Sequence, residues 1–170
     1  MKERLTKFSL TLEPNKTRLI RFGRFTKQDA EKENKKVETV YFLGFTHYCC
    51  TTRKGTFMLG RKTEKTRFKR SVGKVTGLLK KIMHDSIGEG VKKVNQFLRG
   101  HYGYYGLGGN LGSLDRIYRL IEKRWRRMLS SRSWKSSISW DKYHKQKSLH
   151  PILKPKLTLP FNGMKAMAAL

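Results

Sequence analysis

The chain has 170 residues, with 39 Lys and Arg against 12 Asp and Glu, a formal net charge of +27. Hydrophobic residues make up 37%, enough for a small core, which excludes wholesale disorder. Its two cysteines, Cys49 and Cys50, are adjacent, which excludes a disulfide framework and makes a reducing cytoplasm the expected location. No apolar run approaches the ~20 residues of a membrane span, and no basic, apolar, small-residue leader opens the sequence, so neither a membrane-spanning nor a secreted protein is expected.

Charge of this size calls for a polyanionic partner, because like-charge repulsion opposes compaction until it is neutralised. Nucleic acid fits, since each phosphate contact releases condensed counter-ions. The basic residues are interleaved with aromatics rather than set opposite one apolar stripe, which separates this chain from a membrane-surface helix. Residues 1–60 hold 13 basic and 6 acidic residues, residues 61–148 hold 23 and 6, and residues 149–170 hold three lysines and no acid. The nucleic-acid face is therefore expected in the middle and later part.

Residues 1–8 read as the end of a helix. Ser9–Glu13 alternates through Leu10 and Leu12, Pro14-Asn15 is a turn, and Thr17–Phe22 is β-like, so these segments suggest a hairpin. Gly23–Glu38 is polar and charged and reads as an exposed loop. Thr39–His47 reads as one strand, continued by Cys49–Thr52, with Arg53-Lys54-Gly55 turning back into Thr56–Leu59.

After Gly60 the hydrophobic period changes. Val72, Val75, Leu78, Leu79 and Ile82 predict a long basic helix from about Lys62 to His84, weakened by Gly73 and Gly77. Ile87, Val91, Val94, Phe97 and Leu98 predict a second helix ending near Gly100. Leu111, Leu114, Ile117, Tyr118, Ile121, Trp125, Met128 and Leu129 predict a third, with Ser113 as N-cap. Trp140–Gln146 reads as a short fourth. The tail, with Pro151, Pro155 and Pro160, is expected to be extended and frayed at its end. The expected fold is α+β: a β-hairpin-rich piece over 1–60, a basic three-helix bundle over 61–148 and a Pro-containing tail over 149–170.

Arg61, Lys62, Lys65, Arg67, Lys69, Arg70 and Lys74 load the first long helix with charge, and Arg124, Arg126, Arg127 and Arg132 close the third. Between the second and third lies Leu98-Arg99-Gly100-His101-Tyr102-Gly103-Tyr104-Tyr105-Gly106. Its tyrosines suit either base stacking or core filling. On a continuing helix Tyr102 and Tyr105 share the core face, and Tyr104 points away from it. Arg99, His101 and Tyr104 are the expected RNA-facing residues of this stretch. Other chemistry is not supported. No GxGxxG or GxxxxGK[ST] is present. His47-Tyr48-Cys49-Cys50 has no second ligand pair to complete a zinc site. The acids are scattered, with no carboxylate pair for two-metal phosphoryl transfer.

Five motifs then come in a telling order: Leu10-x-Leu12-x-x-x-Lys16-Thr17, Phe42-Leu43-Gly44-Phe45-Thr46-His47, Arg61-Lys62-Thr63, Leu98-Arg99-Gly100-His101-Tyr102-x-Tyr104-Tyr105-Gly106, and Trp125-Arg126 with Trp140. This order, from residue 1 to about 160, resembles the C-terminal part of bacterial group II intron-encoded reverse transcriptase/maturases. The resemblance implies that the first motif is the end of the palm, with Lys16 as the palm-end lysine near the incoming nucleotide. Phe42, Leu43, Gly44 and Phe45 would be the primer-grip hairpin, and the long helices the thumb, or maturase-specific domain X.

The family copies RNA into DNA and helps its parent intron fold, splice and move. The implied partners are structured RNA, either group II intron RNA or an RNA–DNA duplex, with no membrane. The family's Tyr-x-Asp-Asp motif would stand before the matched region and is not in this sequence. The chain alone is therefore expected to bind without polymerising and to hold no cofactor, although the full-length family uses Mg²⁺. The alternative is the C-terminal part of a split RNA-directed DNA polymerase, active only with a separate fingers/palm polypeptide. A ribosomal-type basic protein is a third reading, which the motif order disfavours.

Overall fold

The computed structural model describes residues 2–132 and 138–161. The protein is α+β, and the chain divides into two compact units, Met1–Val40 with Tyr48–Leu59, and Tyr41–His47 with Gly60–Leu170.

The first unit opens with α1 (Lys2–Thr6), a 3-10 turn (Pro14–Lys16) and α2 (Thr26–Lys32). The hairpin expected over residues 9–22 does not form: no strand runs there. A strand needs a partner ladder and a face to bury, yet Leu10 and Phe22 are exposed and Leu19 is 98% exposed. Nor is Gly23–Glu38 simply a loop. Its Lys-Gln-Asp-Ala-Glu-Lys run consists mostly of strong helix formers and makes α2, with Asp29 in the first turn and Lys32 in the last, as the helix dipole favours. Among the described residues of this unit no large apolar side chain is fully buried.

The strands β1 (Thr39–Phe42), β2 (Phe45–Thr51) and β3 (Phe57–Thr63) form one sheet in the order β1-β2-β3. The single strand that the residue pattern suggests over Thr39–His47 is a hairpin instead, turning within Phe42–Phe45, where the resemblance implies one. Leu43 and Gly44 turn it with φ of 48° and 77°, the doubly positive pair of a two-residue turn matching strand twist. Glycine adopts this freely, whereas leucine in the left-handed region costs roughly 1–2 kcal/mol. The second hairpin turns through Arg53–Gly55 as expected, closed by Thr52 N donating to Thr56 O at 2.8 Å.

The second unit is built on α3 (Lys65–Lys81), α4 (Ile87–Tyr105), α5 (Leu111–Ser131) and α6 (Trp140–Leu149). Val75, Val94, Leu98, Leu114, Ile117 and Ile121 are fully buried among α3, α4 and α5. Each such side chain stabilises by about 1.5–3 kcal/mol. Gly90 lets the Trp125 ring lie against α4: a Cβ there would meet Trp125 Cη2 at 2.7 Å.

Three boundaries differ from expectation. Lys62 belongs to β3, and the long basic helix starts at Lys65. The second helix does not stop near Gly100 but runs to Tyr105, because Tyr102 and Tyr105 continue its core face. Ser113 does not cap α5; it is buried inside the helix, and Asn110 stands at the N-cap. The tail is extended as expected and is held along α4. Asn95 Oδ1 accepts from Leu153 N at 2.8 Å, Tyr102 Oη donates to Leu153 O at 3.2 Å, and Thr158 Oγ1 donates to Tyr102 O at 2.8 Å. Its expected frayed end, residues 162–170, lies outside the described residues.

Candidate nucleic-acid interface

Helix α3 carries Lys65, Arg67, Lys69, Arg70, Lys74, Lys80 and Lys81 in seventeen residues without one acid. All seven are exposed. Taking Val75 as the core direction, Lys65, Lys69 and Lys80 lie at about 80–140° and Arg67, Arg70, Lys74 and Lys81 at about 220–280°. Gly73 and Gly77 fall between the two rows, and a Cβ at either would meet nothing within 4 Å. The outer face is thus bare backbone at Gly73 and Gly77, flanked by cations. Among the described residues no carboxylate pairs with Lys65, Lys69, Arg70 or Lys74, while Arg67 has Glu64 at 3.9 Å.

The hairpin tip joins this helix. Gly44 O accepts from Glu64 N at 2.9 Å, the residue preceding α3. Leu43, Gly44, Arg67, Tyr104 and Tyr105 line an open cleft of about 560 Å³. Tyr104 Oη donates to Leu43 O at 2.9 Å, and its ring is nearly parallel to that of Phe45, at 14° and 6.1 Å. A Cβ on Gly44 would lie 3.4 Å from Tyr105 Oη. Two of the five motifs and the basic helix thus supply one surface: the Phe42–Phe45 turn, the tyrosine-rich end of α4, and Arg67 near the start of α3. Tyr41, Phe42 and Leu43 are exposed there.

The tyrosines take the expected sides. Tyr102 is buried and Tyr104 is 54% exposed. Burial holds the Tyr102 hydroxyl well above the usual phenol range. The expectation that His101 faces RNA is corrected: it is 7% exposed, with its ring stacked on Phe97 at 5.8 Å and 4.8 Å from that of Tyr105. Desolvation pushes its pKa down to about 4, so the ring is neutral at physiological pH. It sits one turn before Tyr105, on the side of α4 that turns inward. Arg99 is exposed on the other side of α4.

The cations of α5 are not on this surface as one group. Arg124 and Arg127, with Lys80, border a groove of about 460 Å³ between α3 and α5, floored by Leu79, Met83 and Met128. The Arg126 guanidinium lies 3.6 Å over the Trp140 ring. Arg132 donates to the carbonyl of Ile82 at the end of α3, a capping contact rather than a free charge. Arg61 is half-buried and Lys62 exposed on β3. Lys16 ends the 3-10 turn of the first unit, and its side chain lies outside what is described.

Asn110 was not among the expected site residues, yet it holds the framework. It is buried; Oδ1 accepts from Thr63 N at 2.8 Å, and Nδ2 donates to Thr63 Oγ1 at 2.9 Å and Tyr105 O at 2.8 Å. It ties the end of β3 to the end of α4. A Gly-Gly-Asn run before a helix signals a cap, but this side chain makes no capping bond. No family model matches the chain, and neither the curated proteins nor the solved structures contain a match to it.

Proposed function

We propose that the chain is an RNA-binding module of the group II intron reverse transcriptase/maturase type, gripping structured RNA by its phosphates. The observation that carries this is the outer face of α3, with seven exposed cations and no acid, next to a tip that presents Phe42, Leu43 and Tyr104. Cations on a helix position phosphate and carry no sequence information themselves, while an exposed tyrosine beside them suits a base or sugar face. The order of the five sequence motifs supports the maturase type over other RNA-binding proteins. Intron RNA or an RNA–DNA duplex is the proposed partner, in support of splicing and mobility. The test is binding of a structured intron-type RNA by the intact chain and by a variant with Lys65, Lys69, Arg70 and Lys74 all changed to Ala. The variant loses affinity for every structured RNA tried; unchanged affinity would overturn the reading.

Exposed apolar residues favour a second reading. Phe8, Leu10, Leu19 and Phe25 in the first unit are all more than half exposed, and a partner that covered them would take that apolar area out of water. A separate fingers/palm polypeptide would cover it and supply the carboxylates for polymerisation. Co-purification with such a polypeptide, and template-dependent synthesis only in its presence, would establish this reading.

A further inference from the structure

Helices α3 and α5 run side by side in the same direction. Thr63, two residues before α3, is bonded by Asn110 at the N-cap of α5, and Arg132, at the C-cap of α5, donates to Ile82 O at the C-cap of α3. Both sides of the furrow between them carry cations. On α3 the row of Lys65, Lys69 and Lys80 lies on the α5 side, since Thr76, at about 100° in the same projection, lines the groove shared with Arg124 and Arg127. On α5 the Arg116 guanidinium leans over the Phe68 ring of α3 at 5.5 Å, and Arg127 borders the groove with Lys80. These five cations are exposed, and among the described residues none of them pairs with a carboxylate. The acids of α5 are spent elsewhere: Asp115 pairs with Arg119 and Glu122 with Lys147.

The furrow is long and narrow. From Lys65 to Lys80 it extends about 22 Å along α3, at 1.5 Å per residue, and packed helices stand about 8–10 Å apart. Between the rims Val72, Thr76 and Met83 are half-buried, so the floor is largely apolar and partly open. A duplex is too wide to enter and keeps its base faces stacked inside. An acidic peptide chain matches the rims and leaves the floor bare. A single strand matches both, with phosphates for the two rows and uncovered base faces for the floor.

We propose that the α3–α5 furrow carries a single-stranded stretch of the bound RNA, its phosphates held between Lys65, Lys69 and Lys80 on one rim and Arg116 and Arg127 on the other. This rests on the RNA-binding reading and adds to it the form of RNA preferred, a structured element with a single-stranded extension.

One RNA hairpin tests it, prepared with a blunt end and with a 3′ extension of about ten uridines, a length within the range of single-strand sites. Both forms are titrated at one salt concentration with the intact protein and with two variants. In one, Lys80, Arg116 and Arg127 are all changed to Gln. In the other, Lys92, Lys154 and Lys156 are all changed to Gln, which removes the same charge from exposed positions elsewhere. Each variant is first shown to melt like the parent. The parent binds the extended hairpin about tenfold more tightly than the blunt one. The furrow variant loses that gain, and the charge-matched variant keeps it. Free oligouridine brings the extended hairpin down to the affinity of the blunt one, and polyglutamate of the same length does not. Equal affinity of the parent for the two hairpins, a gain kept by the furrow variant, a gain lost by both variants, or polyglutamate competing as well as oligouridine overturns the single-strand track and leaves RNA binding standing. Failure of the parent to bind either hairpin overturns both.

Discussion

The hydroxyl of Tyr104 donates to the carbonyl of Leu43 at 2.9 Å, across 61 positions of sequence. That carbonyl belongs to a leucine held at φ 48°, a conformation leucine does not choose alone. The bond and the near-parallel packing of Tyr104 on Phe45 therefore fix the turn that presents Phe42 and Leu43. Removing the hydroxyl by Tyr104→Phe is expected to cost about 0.5–1.5 kcal/mol of stability. Tyr104→Ala is expected to weaken RNA binding by about 1–3 kcal/mol. Tyr102→Ala, by contrast, empties a core position and costs about 3–5 kcal/mol of stability. Urea unfolding and RNA titration of the three variants separate the two roles.

His101 makes stability depend on pH in a defined window. Its pKa is pushed down to about 4 in the folded chain by desolvation and stands near 6.5 unfolded. The unfolded state therefore binds the proton more readily. Stability from this group is complete above pH ~6.5 and falls as the pH drops towards ~4, by up to about 3 kcal/mol. Replacing His101 with Phe is expected to flatten that part of the profile in urea unfolding between pH 7 and 4.5. A slope unchanged by the replacement would show that other groups set it.

Gly73 and Gly77 are expected to be places where stability can be gained. Nothing lies within 4 Å of a Cβ built at either, so alanine enters without a clash. Each Gly→Ala change in the interior of a helix stabilises by about 1 kcal/mol. Chemical denaturation of the single and double variants checks both the size and the additivity of the gain.

Asn110→Ala is expected to destabilise by about 3 kcal/mol or more, since Thr63 N and Tyr105 O lose buried partners together. Asn110→Asp keeps the acceptor for Thr63 N but sets a buried carboxylate oxygen against the Tyr105 carbonyl, so in equilibrium unfolding at neutral pH it should cost at least as much as Asn110→Ala.

The two units should also differ in protection. The first buries no large apolar side chain among its described residues, whereas α3, α4 and α5 surround a continuous core. Backbone amides over 1–40 and 48–59 are expected to exchange hydrogen faster than those over 75–129. Uniform slow exchange would show that the first unit is stabilised in its own right.

The helices were legible because Val75, Leu79, Val94, Leu98, Ile117 and Ile121 recur at a period that one core imposes. The same logic, carried past Gly100 and Gly103, placed Tyr102 and Tyr104 on opposite sides of α4. The hairpin over 9–22 misled because Leu10-Leu12 and Ile20-Phe22 alternate, yet alternation makes a strand only where a ladder and a buried face exist. The Leu43-Gly44 turn was hidden from the residue pattern inside an apolar run, since leucine is not a turn residue, and only the resemblance implied a hairpin at Phe42–Phe45. The inward side of His101 follows from the same periodicity as that of Tyr102 and Tyr105. The Asn110 tie and the α3–α5 furrow depend on residues that only the folded chain brings together, and no local pattern announces them.

The central claim is that α3 grips RNA phosphate, and the salt dependence of binding tests it most directly. Neutralising ~5–8 phosphates makes affinity fall by orders of magnitude between about 50 and 200 mM salt, and each cation removed from the contact flattens the log–log slope by nearly one. The intact chain should show that steep slope on a structured RNA. Changing Lys65, Lys69, Arg70 and Lys74 together to Ala should reduce it by about three to four. A flat slope for the intact chain, or a slope that the four changes leave as it was, would contradict phosphate binding by this helix.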